Sequence, residues 1–330
     1  MSDHTGSPHR IEFLAALVFL NLSPFFVLLV NAAPPEREVP AAVITEIRWG
    51  HGRTEVKSLG SGEWSEARPL KVLRAGDEVR VSEDTVLFLL LSDGRGRHLV
   101  TATNSPYIVT APIPENGTTR KLLALLQRSL SFLLASSKDS PDGTLGSRGG
   151  PGAPVILSAG LVLPASLLFE WQERNPSQYT VSITGPGGVL WQQDRVSGGS
   201  LEYPSSNAPV LEPGIKYTFR VRPNRGRSDE AYFEVLDATR AELVRQDVAY
   251  LRLELAPLVA DGALVAIEAS YLADHALLHD ARLVLVEALK VHPEEPGFHL
   301  LLAELYTRMG LPEQAAESRR EARALLARKH

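Results

Sequence analysis

The chain of 330 residues contains no cysteine. This absence excludes disulfide bonds, a thiolate nucleophile, cysteine metal ligands and a lipid-modified cysteine anchor. An exported protein without disulfide bonds is more typical of a bacterial periplasm than of eukaryotic secretion. The remaining composition, with 44% hydrophobic and 22% charged residues, is that of folded globular domains. The length predicts about two or three of them.

The sequence also lacks the motifs that mark common catalytic sites. It contains no G-x-S-x-G nucleophile elbow, no H-E-x-x-H zinc motif, no P-loop and no G-x-G-x-x-G dinucleotide loop. The formal net charge of −5 offers no basic excess to neutralise phosphates, so nucleic acid is not an expected partner. We therefore predict a protein without catalytic residues, cofactor or metal. A hydrolase would need a carboxylate pair that no motif indicates.

A long stretch without any charged residue runs from Phe13 to Ala33, after a short segment at residues 1–12. As a helix it would be about 30 Å long, which is enough to cross the hydrocarbon core of a membrane. The small residues around Ala32 would instead allow cleavage by signal peptidase. The length of the run favours a retained transmembrane anchor over a cleaved signal peptide. Either alternative places the rest of the chain in the cell envelope, anchored in the inner membrane and facing the periplasm or free in the periplasm.

Residues 42–112 have the pattern of a small all-β unit. Polar and apolar residues alternate over Glu55–Leu59 and over Glu78–Val81, as they do in half-buried strands. Thr85–Leu91 is an apolar run that is short enough for a buried strand. Turn residues separate these segments, and short strands at regular spacing indicate a small all-β unit.

The same region resembles the FecR-like domain of bacterial envelope proteins. The residues that carry the resemblance are Leu73–Arg80 (L-R-A-G-D-E-V-R), Leu91–Gly94 (L-S-D-G) and the upstream Trp64. The resemblance covers about residues 43–103. In the protein that gives the family its name, a cytoplasmic segment before the membrane span binds a sigma factor. Since only about ten residues precede the apolar run here, we expect that function not to carry over.

Two aspartates in the resembling segment lie in turn sequences. Gly76-Asp77 and Asp93-Gly94 are dipeptides that favour turns between strands. We therefore expect Asp77 and Asp93 to bind backbone groups and not to act as a catalytic pair.

Residues 119–135 change to a helical period, and residues 136–154 have the composition of a linker. The leucines of the first segment recur at intervals of three and four, opposite basic and polar residues. Such an amphipathic helix lies either on a membrane or partner, or against its own β-domain, and we favour the second. The second segment is rich in Ser, Gly, Pro and Asp, which predicts a flexible connection between domains.

Residues 155–236 again alternate in short strands. Leu211–Tyr217 (L-E-P-G-I-K-Y) resembles the Leu-x-Pro-x-x-x-Tyr corner of fibronectin type III and related immunoglobulin-like sandwiches. That resemblance implies that the Tyr217 hydroxyl bonds to the preceding turn and that Trp171 lies in the core. Trp191 and Tyr203 are candidate surface aromatics for a sugar or a protein.

Residues 239–328 are predicted to be helical and resemble tetratricopeptide repeats. Small, large and proline positions of one repeat are matched by Ala269, Leu272, Ala281, Leu285, Ala288 and Pro293. Moving the first five by the period of 34 residues gives Ala303, Tyr306, Ala315, Arg319 and Ala322. Four of these keep the expected character, whereas Arg319 at an apolar position predicts that the last helix is a solvent-facing cap.

His275 and His279 are the strongest candidates for metal ligands. They are spaced i, i+4 with Asp274 and Asp280 beside them, which would suit zinc on a helix. The pair falls at the bend of the first repeat, where exposed His and Asp are common, and we therefore predict no metal site.

The sequence thus predicts a multidomain α+β protein with an amino-terminal transmembrane helix or signal peptide, a FecR-like β-domain, an immunoglobulin-like sandwich and a helical repeat. We expect a non-catalytic, membrane-tethered, extracytoplasmic binding or scaffold protein whose partner lies along the concave face of the helical repeat. Two alternatives remain open. One is an envelope sensor related to FecR-type regulators, and the other is a cell-wall carbohydrate-binding protein that uses Trp191 and Tyr203.

Overall fold

The computed structural model describes residues 39–48, 50, 52–93, 96–111, 117–136, 155–164, 167–173, 178–203 and 208–328. The apolar run at residues 13–33 and the linker predicted after Ser136 lie outside these ranges. No helix within the ranges is long and apolar enough to cross a bilayer. The described part of the chain is an α+β protein with mixed sheets and a helical carboxyl-terminal region.

The described residues between 40 and 108 form the first β unit and contain eight strands. They are β1 (Pro40–Arg48), β2 (Thr54–Lys57), β3 (Ser65–Glu66), β4 (Val72–Arg74), β5 (Glu78–Val81), β6 (Val86–Leu91), β7 (Arg97–Val100) and β8 (Tyr107–Ile108). One sheet has the order β4-β1-β6-β7 and the other β3-β2-β5-β8. Alternation along the strands builds the core, since Val79 and Val81 of β5 are buried whereas Arg80 between them is exposed.

The described residues between 155 and 235 form the second β unit, with one sheet of five strands and one of three. Its strands are β9 (Val155–Ile156), β10 (Gly160–Val162), β11 (Leu168–Gln172), β12 (Gln178–Gly185), β13 (Gly188–Ser197), β14 (Ser200–Glu202), β15 (Lys216–Pro223) and β16 (Asp229–Val235). The orders are β10-β16-β15-β12-β13 and β14-β11-β9, and β10 pairs with β16 in parallel. Phe169 of the small sheet stacks on Phe219 of the large one at 4.2 Å between ring centroids, which closes the core between them.

Two aromatic residues of this unit have the structural roles that the sequence predicts. Trp171 on β11 is only 2% exposed and packs edge-on against Tyr179. The hydroxyl oxygen of Tyr217 accepts a hydrogen bond from the backbone N–H of Glu212 at 2.8 Å. The tyrosine therefore ties the start of β15 to the turn that precedes it.

Six helices are described. They are α1 (Gly117–Ser136), α2 (Ala238–Leu255), α3 (Asp261–Asp274), α4 (Leu278–Val291), α5 (Pro296–Arg308) and α6 (Pro312–Arg328). Asp237 caps α2, because its carboxylate accepts the backbone N–H of Arg240 at 2.9 Å. Gly310 has φ +71 between α5 and α6, and Pro312 then occupies the first turn of α6.

Most of the small and large positions of the repeat pattern are interior positions of the helices α3 to α6. Ala269, Ala281, Ala303, Ala315 and Ala322 are each buried, which lets paired helices approach closely. Arg319 is partly buried, and its guanidinium donates to the Thr307 hydroxyl at 2.9 Å. This contact shows how an arginine is accommodated where the repeat pattern expects an apolar residue.

The amphipathic pattern of α1 favoured packing on the first β unit, but the helix packs mainly on α3. It contacts β1 and β4, but its most extensive contact is with α3, and it also touches α5 and α2. Its buried residues Leu126, Leu130 and Leu133 belong to the same apolar core as the helical region. Sequence periodicity identifies a buried face of a helix but not the element that covers it, which explains the difference.

One apolar core joins the first β unit to the helices. Val43, Leu70 and Leu90 of the β unit share it with α1 and with residues of α2 to α5. A smaller cluster of Val155, Met309 and Leu311 joins the second β unit to the end of α5. The described residues all fall within one compact unit.

Candidate functional site

A cavity of about 370 Å³ lies where the first β unit meets α1 and α5. Its polar lining comes from the β unit and consists of Ser58, Ser65, Glu66, Arg68, Lys71, Arg74 and Asp77. Its apolar lining comes from the end of α1 and the start of α5 and includes Leu133, Leu134, Leu300 and Leu301. The cavity thus has a charged wall facing a leucine wall. We call it the junction cavity.

The turn Arg68–Lys71 forms the charged wall. The backbone N–H of Lys71 donates to the carbonyl of Arg68 at 3.2 Å, and Leu70 between them has φ +63. A positive φ at the third position, after proline, is the requirement of a type II turn and is normally met by glycine. Leucine is strained there, and strain of this kind persists only where the surroundings hold the residue.

The side chain of Leu70 explains why this strain is tolerated. Leu70 is 8% exposed and reaches into the core that the β unit shares with the helices. It lies so close to Gly297 of α5 that a Cβ atom at that position would stand 2.4 Å from its Cδ1. Glycine at 297 therefore makes room for Leu70, and the fit fixes the turn that carries Arg68 and Lys71.

The charges of the wall are unevenly compensated. Asp77 is 3% exposed, and its two carboxylate oxygens accept the backbone N–H groups of Leu59 and Arg74, each at 2.9 Å. The ammonium group of Lys71 donates to the hydroxyl of Ser65 at 2.9 Å. Desolvation lowers the pKa of Lys71, as does the nearby charge of Arg68, against the opposing effect of Asp77. The positive charge of Lys71 in this wall is therefore only partly balanced by negative charge.

Asp77 has the backbone-binding role that its turn sequence indicates, because it joins β4 to the loop after β2. Asp93 is buried, at 1% exposure, in the turn after β6. The two aspartates lie in different turns, and the contacts of Asp77 are those of a structural carboxylate.

Trp191 and Tyr203 lie side by side but are not a flat exposed platform. Their rings meet edge to face at 5.2 Å, and both are partly buried against the core of the second β unit. The hydroxyl of Tyr203 donates to the carbonyl of Pro209 at 2.6 Å. These contacts hold the pair against its own sandwich.

The two candidate metal ligands, His275 and His279, contact different backbone carbonyl groups. The Nδ1 atom of His275 lies 2.9 Å from the carbonyl oxygen of Tyr271, while Asp274 accepts from Arg128 at 2.9 Å. The expectation that His279 is exposed is wrong, since it is 3% exposed and faces β11. Among the described residues, no group of three or more His, Asp or Glu could hold a metal ion.

His279 instead belongs to a polar contact between α4 and the second β unit, which we call the polar seam. It consists of Glu170, His279, Asp280 and Arg282. The Nε2 atom of His279 lies 2.9 Å from the carbonyl of Leu168, and Asp280 accepts the backbone N–H of Leu163 at 3.2 Å. Arg282, which is 2% exposed, pairs with Glu170. The seam attaches the helical region to β10 and β11.

The pKa values of His279 and Asp280, two groups of the seam, are shifted in opposite directions. Burial lowers the pKa of His279 to about 4, and it raises the pKa of Asp280 to about 6. Their unfolded values are about 6.5 and 3.9. His279 therefore makes the folded state more stable as the pH rises from about 4 to 6.5, whereas Asp280 makes it less stable over about pH 4 to 6.

We expect Asp280→Asn to separate the contribution of Asp280 to the pH dependence of stability from that of His279. The amide oxygen can still accept the Leu163 N–H, but the variant no longer loses stability when the carboxylate ionises. Its free energy of unfolding relative to the parent should rise by about 2 kcal/mol between pH 4 and pH 6.5. Urea unfolding at a series of pH values measures this difference. His279→Gln should change with the opposite sign, and parallel profiles for both variants and the parent would contradict the assignment.

The residues of the junction cavity were not found by sequence reasoning. They come from three segments, around residues 58–77, 133–134 and 297–301, that no local pattern connects. The available signal was Pro69-Leu70, a turn sequence without the glycine that its geometry prefers. That signal indicates strain but not a cavity.

No family model matches the chain, and no curated protein matches it. Among solved structures, the chain is similar to the crystal structure of a beta-1,2-glucanase from Parabacteroides distasonis, at 10% sequence identity and a TM-score of 0.22. The similarity covers 87% of this chain and 49% of the glucanase, so the chain spans about half of that protein's length. At this TM-score the similarity supports neither a shared fold nor a shared activity.

Proposed function

We propose that this protein is a non-catalytic, membrane-tethered binding and scaffold protein of the bacterial envelope, facing the periplasm. The absence of cysteine and the apolar run at residues 13–33 support export. The sequence resemblances to FecR-like, fibronectin type III-like and tetratricopeptide-like units support an architecture of binding units. The proposal is carried by one observation, that the helical region contacts both β units. A region with such contacts can position two binding units relative to each other, as a scaffold does.

The surface that we propose for a protein partner is the outer face of α6. The helices α3 and α5, which would line the concave face of a tetratricopeptide array, are already in contact with α1. A partner on that face would have to displace α1, whose leucines are buried. The helix α6 buries Ala315 and Ala322 but leaves Arg320 and Arg323 exposed, so it offers the accessible side of the repeat.

The double variant Arg320→Glu and Arg323→Glu tests this surface. Crosslinking of the full-length protein in the native envelope, followed by mass spectrometry, should identify a partner linked to the helical region. Reversal of the two charges should reduce the yield of that crosslinked partner several-fold. Charges at the edge of an interface speed the approach of a partner and fix its orientation. The thermal unfolding of the protein should be unchanged, since both side chains are exposed.

The matched control is Arg225→Glu with Arg227→Glu, two exposed arginines on the loop between β15 and β16. This variant carries the same change in net charge on the second β unit. It should leave the crosslinked partner unaffected. Equal losses in both variants would show that total charge and not the face of α6 determines the contact, and would overturn the assignment.

The junction cavity favours a second function, that of an envelope sensor whose β unit detects a ligand. A ligand in this cavity would contact the first β unit and the helices α1 and α5 at the same time. It would therefore stabilise one arrangement of the two parts relative to others, which is what a sensor requires. Loss of an envelope transcriptional response on deletion of the protein would support this role over a purely structural one.

A further inference from the structure

We propose that the junction cavity binds a small organic carboxylate with an apolar body, whose carboxylate pairs with Lys71 and Arg68 and whose apolar part lies on the leucines of α1 and α5. This inference rests on the sensing role proposed above and names the chemical class of its ligand. The test measures binding directly, so a failure would remove the ligand without removing the scaffold role.

The size and lining of the cavity fit a molecule of this kind. Its volume of about 370 Å³ falls within the range of about 300–1,000 Å³ that small-molecule sites occupy. Leu133, Leu300 and Leu301 face the cavity from the helices and would bury a hydrocarbon or aromatic body. Such a lining gives no advantage to a small inorganic anion, which has no apolar surface to bury.

The charged wall supplies the counterpart for the carboxylate. Two carboxylates, Glu66 and Asp77, line the cavity beside three cations, Arg68, Lys71 and Arg74. Among the described residues, neither carboxylate forms an ion pair with Lys71 or Arg68, and both oxygens of Asp77 accept backbone N–H groups. A partly desolvated ammonium group without an anion is costly. A bound carboxylate would supply the missing charge, while the hydroxyl of Ser65 already orients the ammonium group at 2.9 Å.

The site is also preorganised. The turn Arg68–Lys71 is held by Leu70, which is fixed in its positive φ by the close contact with Gly297. The backbone of this turn therefore loses little conformational freedom when a ligand binds, and the hydroxyl of Ser65 holds the ammonium group of Lys71. This places the strain of Leu70 at a position where it serves binding, in agreement with the tendency of strained residues to cluster at ligand sites.

The experiment uses 3-phenylpropionate as the probe and isothermal titration calorimetry as the measurement. The full-length chain is held in lipid nanodiscs, with empty nanodiscs as the blank. The parent should bind 3-phenylpropionate at least about tenfold more tightly than acetate, which lacks the apolar body, or 3-phenylpropylamine, which has the opposite charge. No measurable heat with 3-phenylpropionate, or equal affinity for the amine, would overturn the proposal.

Lys71→Met removes the charge and keeps most of the volume, so it should weaken 3-phenylpropionate binding by at least about tenfold. Lys71→Arg retains the charge and should restore binding, which excludes a general folding defect as the cause. The matched control is Lys57→Met, because Lys57 pairs with Glu78 at 2.6 Å and does not line the cavity. Unchanged affinity in Lys71→Met, or an equal loss in Lys57→Met, would contradict the assignment.

Discussion

Replacing Phe298 with alanine should lower the free energy of unfolding by about 3–5 kcal/mol and should do so for the β units and the helices together. Phe298 is 0% exposed at the start of α5, in the core that α1, α2 to α5 and the first β unit share. Alanine would leave a cavity at the point where these elements meet. Because the core is continuous, the loss should not remain confined to the last helices.

Two signals that report different parts of the molecule check this expectation. Far-ultraviolet circular dichroism follows the helices. The fluorescence of the four tryptophans includes Trp64, Trp171 and Trp191, which lie in the two β units and report on them. In urea, both transitions should move to lower concentration by the same amount in Phe298→Ala. Coincident transitions are the sign of a single cooperative unit.

Val291→Ala is the matched control for this substitution. Val291 ends α4 and is 73% exposed, so its truncation should change the free energy of unfolding by less than about 0.5 kcal/mol. If Phe298→Ala instead shifted the circular dichroism transition and left the fluorescence transition in place, the helices would unfold independently. The scaffold proposal would then lose the shared core on which it depends.

The sequence allowed the class of the fold and several individual roles to be predicted. The alternation around Trp171 and the corner at Tyr217 led to the correct interior positions, since local periodicity reflects which side of a strand is buried. The period of 34 residues similarly identified alanines such as Ala269 and Ala303 as buried. These features depend on neighbouring residues and are therefore visible in the sequence.

The features that determine the candidate site depend on contacts between distant segments. The helix α1 shows an apolar face, but nothing within residues 119–135 distinguishes α3 from the first β unit as its partner. Leu70 reads as an ordinary apolar residue, and its positive φ is explained only by Gly297, far along the chain. The junction cavity results from these long-range contacts, so it could not be predicted from local patterns.

The polar seam also depends on contacts between distant segments, which local sequence patterns do not reveal. One of its residues, Arg282, is the subject of the second prediction with a large expected loss of stability. Arg282 lies on a helix where an arginine would normally be read as exposed, yet it is 2% exposed and pairs with Glu170 of β11. Replacing Arg282 with methionine should lower the free energy of unfolding by about 3–5 kcal/mol, because the carboxylate of Glu170 would remain in the interface without its cation. Urea unfolding of the full-length chain measures the loss.

The double variant Arg282→Met with Glu170→Met separates the two sources of that loss. If the cost arises from an uncompensated charge, removing both partners should recover most of the stability, since apolar residues of similar size can replace a buried ion pair. The exposed pair of Arg220 and Glu230 is the matched control, and Arg220→Met should cost less than about 1 kcal/mol. Should Arg282→Met cost no more than Arg220→Met, the seam would contribute little. The second β unit would then be held to the helices mainly by the apolar contact of Val155 with Met309 and Leu311.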